Sequence, residues 1–193
     1  GVEGAGAPKV HQDAGDATGL TLNSDHSFGL ASAYVLGEVK PRRDLRLAAG
    51  LRGDYYSTSG AALSPRLSAV WRPYARGTTK VIFGRAFRAP SIYELYYHDG
   101  GVSQVPAPAL GPETIYTAEV EHTHAFGRRI FATVSGYYND VRSLILLRPA
   151  AAGAGAMDIT CANPAGCVQF ANGGHVATLG GELEQRRTWG QGG

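Results

Sequence analysis

The sequence predicts an all-β protein, an antiparallel up-and-down transmembrane β-barrel, here a partial barrel wall of about seven strands. Three observations carry this expectation. Apolar and polar residues alternate with period two along much of the chain, the pattern of a half-buried strand, and no segment shows a convincing helical period. Charged residues keep to one strand face. The connections alternate between short and long.

Taken in order, the first strand falls on FGLASAYVLGEV (28–39) and is small or apolar on both faces, so its orientation stays open. The clearest is LRLAAGLRGDYY (45–56), with Leu45, Leu47, Ala49, Leu51, Gly53 and Tyr55 on one face and Arg46, Arg52 and Asp54 on the other. PRLSAVWRPY (65–74) sets Leu67, Ala69 and Trp71 opposite Arg66, Ser68 and Arg72, and KVIFGRAF (80–87) follows. TIYTAEVEH (114–122) sets Tyr116, Ala118 and Val120 opposite Thr117, Glu119 and Glu121. In RIFATVSGYYN (129–139), Ile130, Ala132, Val134 and Tyr138 oppose Thr133, Ser135 and Asn139. ATLGGELEQRR (177–187) sets Leu179, Gly181 and Leu183 opposite Glu182, Glu184 and Arg186.

Short connections fall at 40–44, 76–78 and 127–128, and long ones at 57–64, 89–112 and about 142–167; the leader, 1–27, fits as a further long one. Antiparallel neighbours joined in this way place tight turns at one end of the sheet and long loops at the other. A transmembrane barrel sorts its loops so, and a soluble sandwich has no reason to. Strands of about 10–12 residues suit a tilted crossing of hydrocarbon. Ten of the 18 basic residues lie at or near the short-turn end, where they meet water or lipid headgroups. Tyr55, Trp71, Tyr74 and Tyr138 sit near strand ends, as interfacial girdle residues do.

Composition excludes other classes. A net charge of +2 is too small for capture of nucleic acid. The 27 glycines are scattered without a collagen-like period. No run approaches the ~18 apolar residues of a membrane helix. The start, GVEGAGAPKV, has neither Met nor an export signal, and the end, TWGQGG, reads as a glycine-rich turn, so the expectation is an internal piece of a longer polypeptide.

One stretch departs from simple alternation. In FGRAFRAPSIYELYY (83–97), Arg85 and Arg88 lie three residues apart, so a regular strand turns them to opposite faces and points one at lipid, at ~2–4 kcal/mol near the midplane. The expectation is a β-bulge or strand end near 86–89, with Pro90 stopping the ladder and Glu94 pairing with one arginine. The pair reads as a strand-end clamp in preference to direct ligand contact.

GRAFRAPSIYELYY followed by PALGPETIYTAEVE resembles the signature run of TonB-dependent outer-membrane receptors, with its "GxxFRAPxxxEL" and "L.PE....E" pattern. LAAGLRGDYY, LSPRLSAVWRP and NGGHVATLGGELE resemble further strands of that family in the same order, so the likeness spans about 28–187. It implies that residues 1–193 are part of one β-barrel domain of about 22 strands. It also implies a place in the outer membrane of a Gram-negative bacterium and energy-coupled uptake of a scarce large nutrient of the siderophore, haem or cobalamin class. Expected partners are outer-membrane lipid, the nutrient, and the TonB complex through a plug region absent from this chain; no cofactor is implied. Arg85, Phe87, Arg88, Pro90 and Glu94 match the motif.

Tyr96, Tyr97, His98 and Asp99, at the base of a long loop, are candidate ligand contacts by stacking and hydrogen bonding. Cys161 and Cys167 lie in the longest loop, where an oxidising cell surface favours a disulfide over a metal site. No catalytic motif is present, and the carboxylate pairs Glu119/Glu121 and Glu182/Glu184 read as a polar wall. Two rival classes remain, an outer-membrane barrel enzyme and a soluble lipid-binding barrel.

Overall fold

The structure is a computed structural model that describes residues 1–16, 19–151, 154–161 and 166–189. In chain order the elements are β1 (Val2–Asp16), β2 (Gly19–Arg42), β3 (Leu45–Tyr56), β4 (Gly60–Tyr74), β5 (Gly77–Arg88), α1 (Ile92–Tyr96), β6 (Gln104–Val105), β7 (Glu113–Phe126), β8 (Ile130–Pro149), β9 (Gly155–Ala156), β10 (Ile159–Thr160) and β11 (Val168–Arg187). One sheet runs β1-β2-β3-β4-β5-β7-β8-β11-β6, and β9 and β10 pair separately. Every long neighbour pair is antiparallel; β6 lies parallel to β11. β1 and β11 are not paired with each other, so the sheet is open.

Register carries the side-chain pattern across the sheet. Gly37, Ala49, Leu67, Phe83, Ala118, Tyr138 and Leu179 form one row across seven strands. Val39, Leu47, Ala69, Val81, Val120, Gly136 and Gly181 form the next row of the same face but one. The opposite face holds Arg46, Val70, Lys80, Glu121, Ser135 and Glu182 in register, with Lys80 on Glu121 at 2.7 Å. On that charged face Arg52 also ties strands together, donating to Glu3, Asp54 and the Ser32 hydroxyl.

The apolar face has no protein against it: Leu67 is 53% exposed, Phe83 41% and Leu179 82%. The buried apolar cluster lies instead under the loops, where Leu95, Ala107, Leu110 and Ile145 pack together with Tyr96 and Phe170 against them. A wall that leaves its large apolar side chains outside and its charges on the other face needs a bilayer as its second layer. No helix among the described residues is long and apolar enough to cross a membrane, so any crossing belongs to the strands.

Three expectations change. There are eight long antiparallel strands rather than about seven, because the leader is not a loop: β1 pairs with β2 from Val2↔Ala33 to Asp16↔Gly19. Above Leu30↔Tyr56, where β3 ends, this hairpin continues as a two-stranded ribbon. The ribbon runs beyond the end of β3, and its residues carry no sustained apolar alternation, which is why periodicity missed it. The connection expected at 57–64 is a tight turn at 57–59, closed by Gly60 at φ +83°, a conformation that suits glycine. The long strands run from 12 to 24 residues rather than 10 to 12, with β8 extending to Pro149 past an irregularity at Ser143. Of the two alternatives expected near 86–89, a bulge or a strand end, the second is found: β5 keeps unbroken register with β7 through Arg85↔Tyr116 to Arg88↔Glu113 and ends at Arg88. The tight turns at 43–44, 75–76 and 127–129 do share one end of the sheet, and the loops at 89–112 and 150–167 share the other. Residues 190–193 of the TWGQGG run lie outside the described residues.

Spin labels or cysteines placed at Leu47, Leu51, Ala69 and Val120 in a full-length receptor will report lipid contact, and labels at Ser68, Glu119 and Glu121 will report water. Water access at all four apolar positions contradicts the orientation.

Candidate functional site

The end of β5 organises the long-loop side of the wall. The Arg88 guanidinium donates to both oxygens of Glu94, at 2.9 and 3.0 Å, and to both oxygens of Glu113, at 2.8 Å each. A planar fork can hold two carboxylates in this way; an ammonium cannot. Glu113 also accepts from the Ile145 N–H at 2.8 Å, which links β7 to β8. Glu94 closes a capping box on α1: it accepts from the Ser91 N–H at 2.8 Å, and the Ser91 hydroxyl accepts from the Glu94 N–H at 3.2 Å. One arginine thereby fixes where the strand stops and where the loop helix starts.

Arg85 and Arg88 face opposite sides, as regular register requires. Pro65 explains how Arg85 is accommodated. The β4–β5 ladder ends at Arg66↔Gly84, one position before Pro65, which has no N–H to donate. The strand ends part, and Arg85 fills the gap by donating to the Leu63 carbonyl and, at 3.4 Å, to the Thr114 hydroxyl. Its guanidinium also lies 5.9 Å from the centre of the Tyr116 ring. Phe87 packs edge-on against Tyr56, with ring centres 5.7 Å apart, and Pro90 is buried between strand and helix.

The loop that follows is folded as a lid. Leu95 is fully buried, and the Ala107 N–H donates to the Leu95 carbonyl. Gln169 donates to the Pro106 carbonyl, and the Asn172 amide brackets Gly111, accepting from its N–H at 2.7 Å and donating to its carbonyl at 2.9 Å. Gly101, at φ +82°, comes so close to the Thr160 carbonyl that a Cβ there would collide with it, so the two long loops lock together at a glycine. Cys161 and Cys167 are joined across a Cα separation of 6.0 Å, with Cys167 buried beside Gly101; residues 162–165 of that ring lie outside the described residues.

The four candidate ligand residues do not converge on one point. Tyr96 stacks on His26 of the β1–β2 ribbon at 3.8 Å, which spends its ring on a loop-to-ribbon contact. Tyr97 stacks on Tyr93 at 4.5 Å, and Tyr93 meets Phe170 edge-on. His98 accepts from the Gly100 N–H through Nδ1. Asp99 accepts from the Ser103 N–H and hydroxyl and from the Gln104 N–H. Burial pushes the Asp99 carboxyl up, but these donors outweigh it and hold the group below the usual carboxylate range. Asp99 therefore works inside the loop, while Tyr93, 47% exposed, and Tyr97 form its aromatic outer surface. Tyr93, Ser91, Glu113 and His26 were not singled out from the sequence. The S-x-x-E spacing of Ser91 and Glu94 was the readable signal for the first two, since it starts a helix that brings Tyr93 and Tyr97 together at i and i+4. Among the described residues no three His, Cys, Asp or Glu side chains are placed to hold a metal ion.

Burial also raises the Glu94 carboxyl, but Arg88 and Ser91 together leave it below its ordinary value near 4.5. A depressed carboxylate lends stability that is present above that value and lost as pH falls through its lower folded value. Arg88 is half-exposed, so each ion pair is worth ~1 kcal/mol or less. Arg88→Gln leaves Glu94 and Glu113 facing each other unpaired and will loosen the 89–112 loop more than Glu94→Gln does. Protease nicking of that loop at pH 7 will rise in both variants, and in the parent it will rise only below about pH 4.5. Equal nicking of parent and Arg88→Gln at pH 7 contradicts the clamp.

The profile of the family "TonB dependent receptor-like, beta-barrel" matches residues 7–193. The chain is 26% identical over 151 residues to the "Iron-regulated outer membrane virulence protein" of Vibrio cholerae, covering 75% of this chain and 22% of that protein. Its fold is shared with the siderophore receptor PirA of Pseudomonas aeruginosa (TM-score 0.65, 22% identity, 82% of this chain and 28% of that one). It is shared also with the ferric enterobactin receptor PfeA of the same organism (TM-score 0.69, 22% identity, 84% and 25%). The chain thus spans about a quarter of the relatives it matches. Family members are receptors and not enzymes, and their barrels stand in the outer membrane of Gram-negative bacteria. The open, two-faced sheet belongs to that family: this chain is a TonB-dependent receptor β-barrel sequence.

Proposed function

We propose that the chain forms part of the wall and extracellular lid of a receptor that takes up a ferric siderophore across the outer membrane. The observation that carries the reading is the lid itself. A loop core around Leu95, held by Arg88 and by Asn172, presents the stacked Tyr93–Tyr97 pair at the long-loop end. Flat aromatic surface suits the catechol or hydroxamate periphery of a large iron chelate. The likeness to an iron-regulated outer-membrane protein and to receptors for siderophores and ferric enterobactin supports the siderophore class over haem or cobalamin. A link between Cys161 and Cys167 fits an oxidising exterior and would stiffen the second loop against the first. The process is binding and gated passage. TonB would act through a plug region elsewhere in the receptor, and residues 1–193 would serve as part of a single barrel domain.

Expression of the full-length receptor in an iron-starved strain lacking its own siderophore receptors will restore uptake of radiolabelled ferric catecholate or hydroxamate, and only while TonB is present. Tyr93→Ala with Tyr97→Ala will weaken chelate binding several-fold, in line with ~0.5–1.5 kcal/mol for an aromatic contact. Uptake of haem or cobalamin with no ferric chelate uptake contradicts the siderophore reading.

A further inference from the structure

Two adjacent rows at the long-loop end break the apolar face. Register aligns Arg85, Tyr116, Asp140 and Ala177 in one row, and Thr114, Arg142 and His175 in the next. These rows continue the face that carries Phe83, Ala118, Tyr138 and Leu179, so their side chains point towards lipid and away from the barrel interior. The Arg142 guanidinium lies 5.2 Å from the centre of the Tyr116 ring, and that of Arg85 lies 5.9 Å from the same ring. Asp140 is buried beneath them and accepts from Arg142 at 2.5 Å; its other oxygen lies 2.6 Å from His175 Nε2. Arg142 and His175 themselves are exposed, their side chains 61% and 62% accessible.

We infer that this cluster is a binding site for the phosphate group of a lipid headgroup in the outer leaflet. Two guanidiniums flank the Tyr116 ring and only one carboxylate, Asp140, stands beside them; of the two, Arg142 alone pairs with it, so the cluster carries excess positive charge, and the carboxylate is the buried member. Arg142 Nη1 makes no hydrogen bond among the described residues, and its Nε and Nη2 are already fixed by Asp140, which pre-orients the fork. Directly below lie the apolar rows through Tyr138 and Leu179, and Val120 beyond, which suit acyl chains. A phosphorylated amphiphile matches both halves of this surface. An acidic protein partner matches the upper half alone, since the lower half faces hydrocarbon.

The test uses full-length receptor in bilayer discs of uncharged lipid doped either with diphosphorylated lipid A or with the same lipid stripped of its phosphates, read by native mass spectrometry. The phosphorylated lipid will be retained on the protein and the stripped one will not. Arg142→Gln, on a strand paired along both edges, will lower retention about fivefold, the worth of one arginine near an anionic membrane surface. Arg142→Lys will keep part of it. Ten-millimolar inorganic phosphate will not displace the lipid. Equal retention of the two lipids, unchanged retention in Arg142→Gln, or displacement by phosphate overturns the proposal. The readout does not involve chelate uptake, so it stands or falls separately from the receptor's nutrient.

Discussion

Within hydrocarbon every main-chain N–H and C=O must find a partner in the protein, and that constraint dictates most of what this wall looks like. It requires long, continuously paired strands. It also makes register decisive, because a one-residue slip would turn the row Gly37–Ala49–Leu67–Phe83–Ala118–Tyr138–Leu179 inwards and bring the row of Lys80, Glu121 and Glu182 out into lipid. The one place where a residue cannot take part shows the rule at work. Pro65 ends the β4–β5 ladder, and the side chain of Arg85 supplies the donor that the Leu63 carbonyl would otherwise lack.

From that ladder the loops inherit their order. Arg88 is the last residue of β5, still in register with Glu113, and its position there lets it reach Glu94 as well. The capping box then starts α1, α1 buries Leu95, and Leu95 gathers Ala107, Leu110 and Ile145 beneath the lid. β6 adds to the edge of β11, bringing the first long loop onto the second where Gly101 meets Thr160. The protein's buried apolar core is thus in its loops, while its sheet borrows the membrane for the same purpose.

Much of the fold could be read from residue order. Strands that face lipid on one side and water on the other alternate cleanly, so LRLAAGLRGDYY declared both its extent and its faces, and TIYTAEVEH declared its faces although β7 runs on to Phe126. The β1–β2 ribbon could not be read in this way, since it runs past the end of β3 and its residues carry no sustained apolar alternation. The 57–59 turn was overestimated because Gly60, Ala61, Ala62 and Ser64 are small or turn-forming residues that nevertheless pair with β3. For Arg85 and Arg88 the types and the partner Glu94 were legible, but the accommodation of Arg85 was not. It depends on Pro65 and Leu63, about twenty residues away, and on which edge of β4 lacks a donor. The role of Tyr96 was hidden for a similar reason: its stacking partner His26 comes from the ribbon.

If the sheet takes a bilayer as its second layer and further strands as its neighbours, these 193 residues cannot be stable in water by themselves. The apolar face would be wet, β1 and β11 would remain open edges, and closure into a small barrel would crowd Arg46, Arg52, Arg66, Glu119, Glu121, Glu182 and Glu184 together. The most direct measurement is sedimentation and thermal unfolding of the chain in plain buffer. The account predicts aggregation, or solubility only in detergent, with no cooperative transition. A monomer with a sharp, reversible unfolding transition would contradict it.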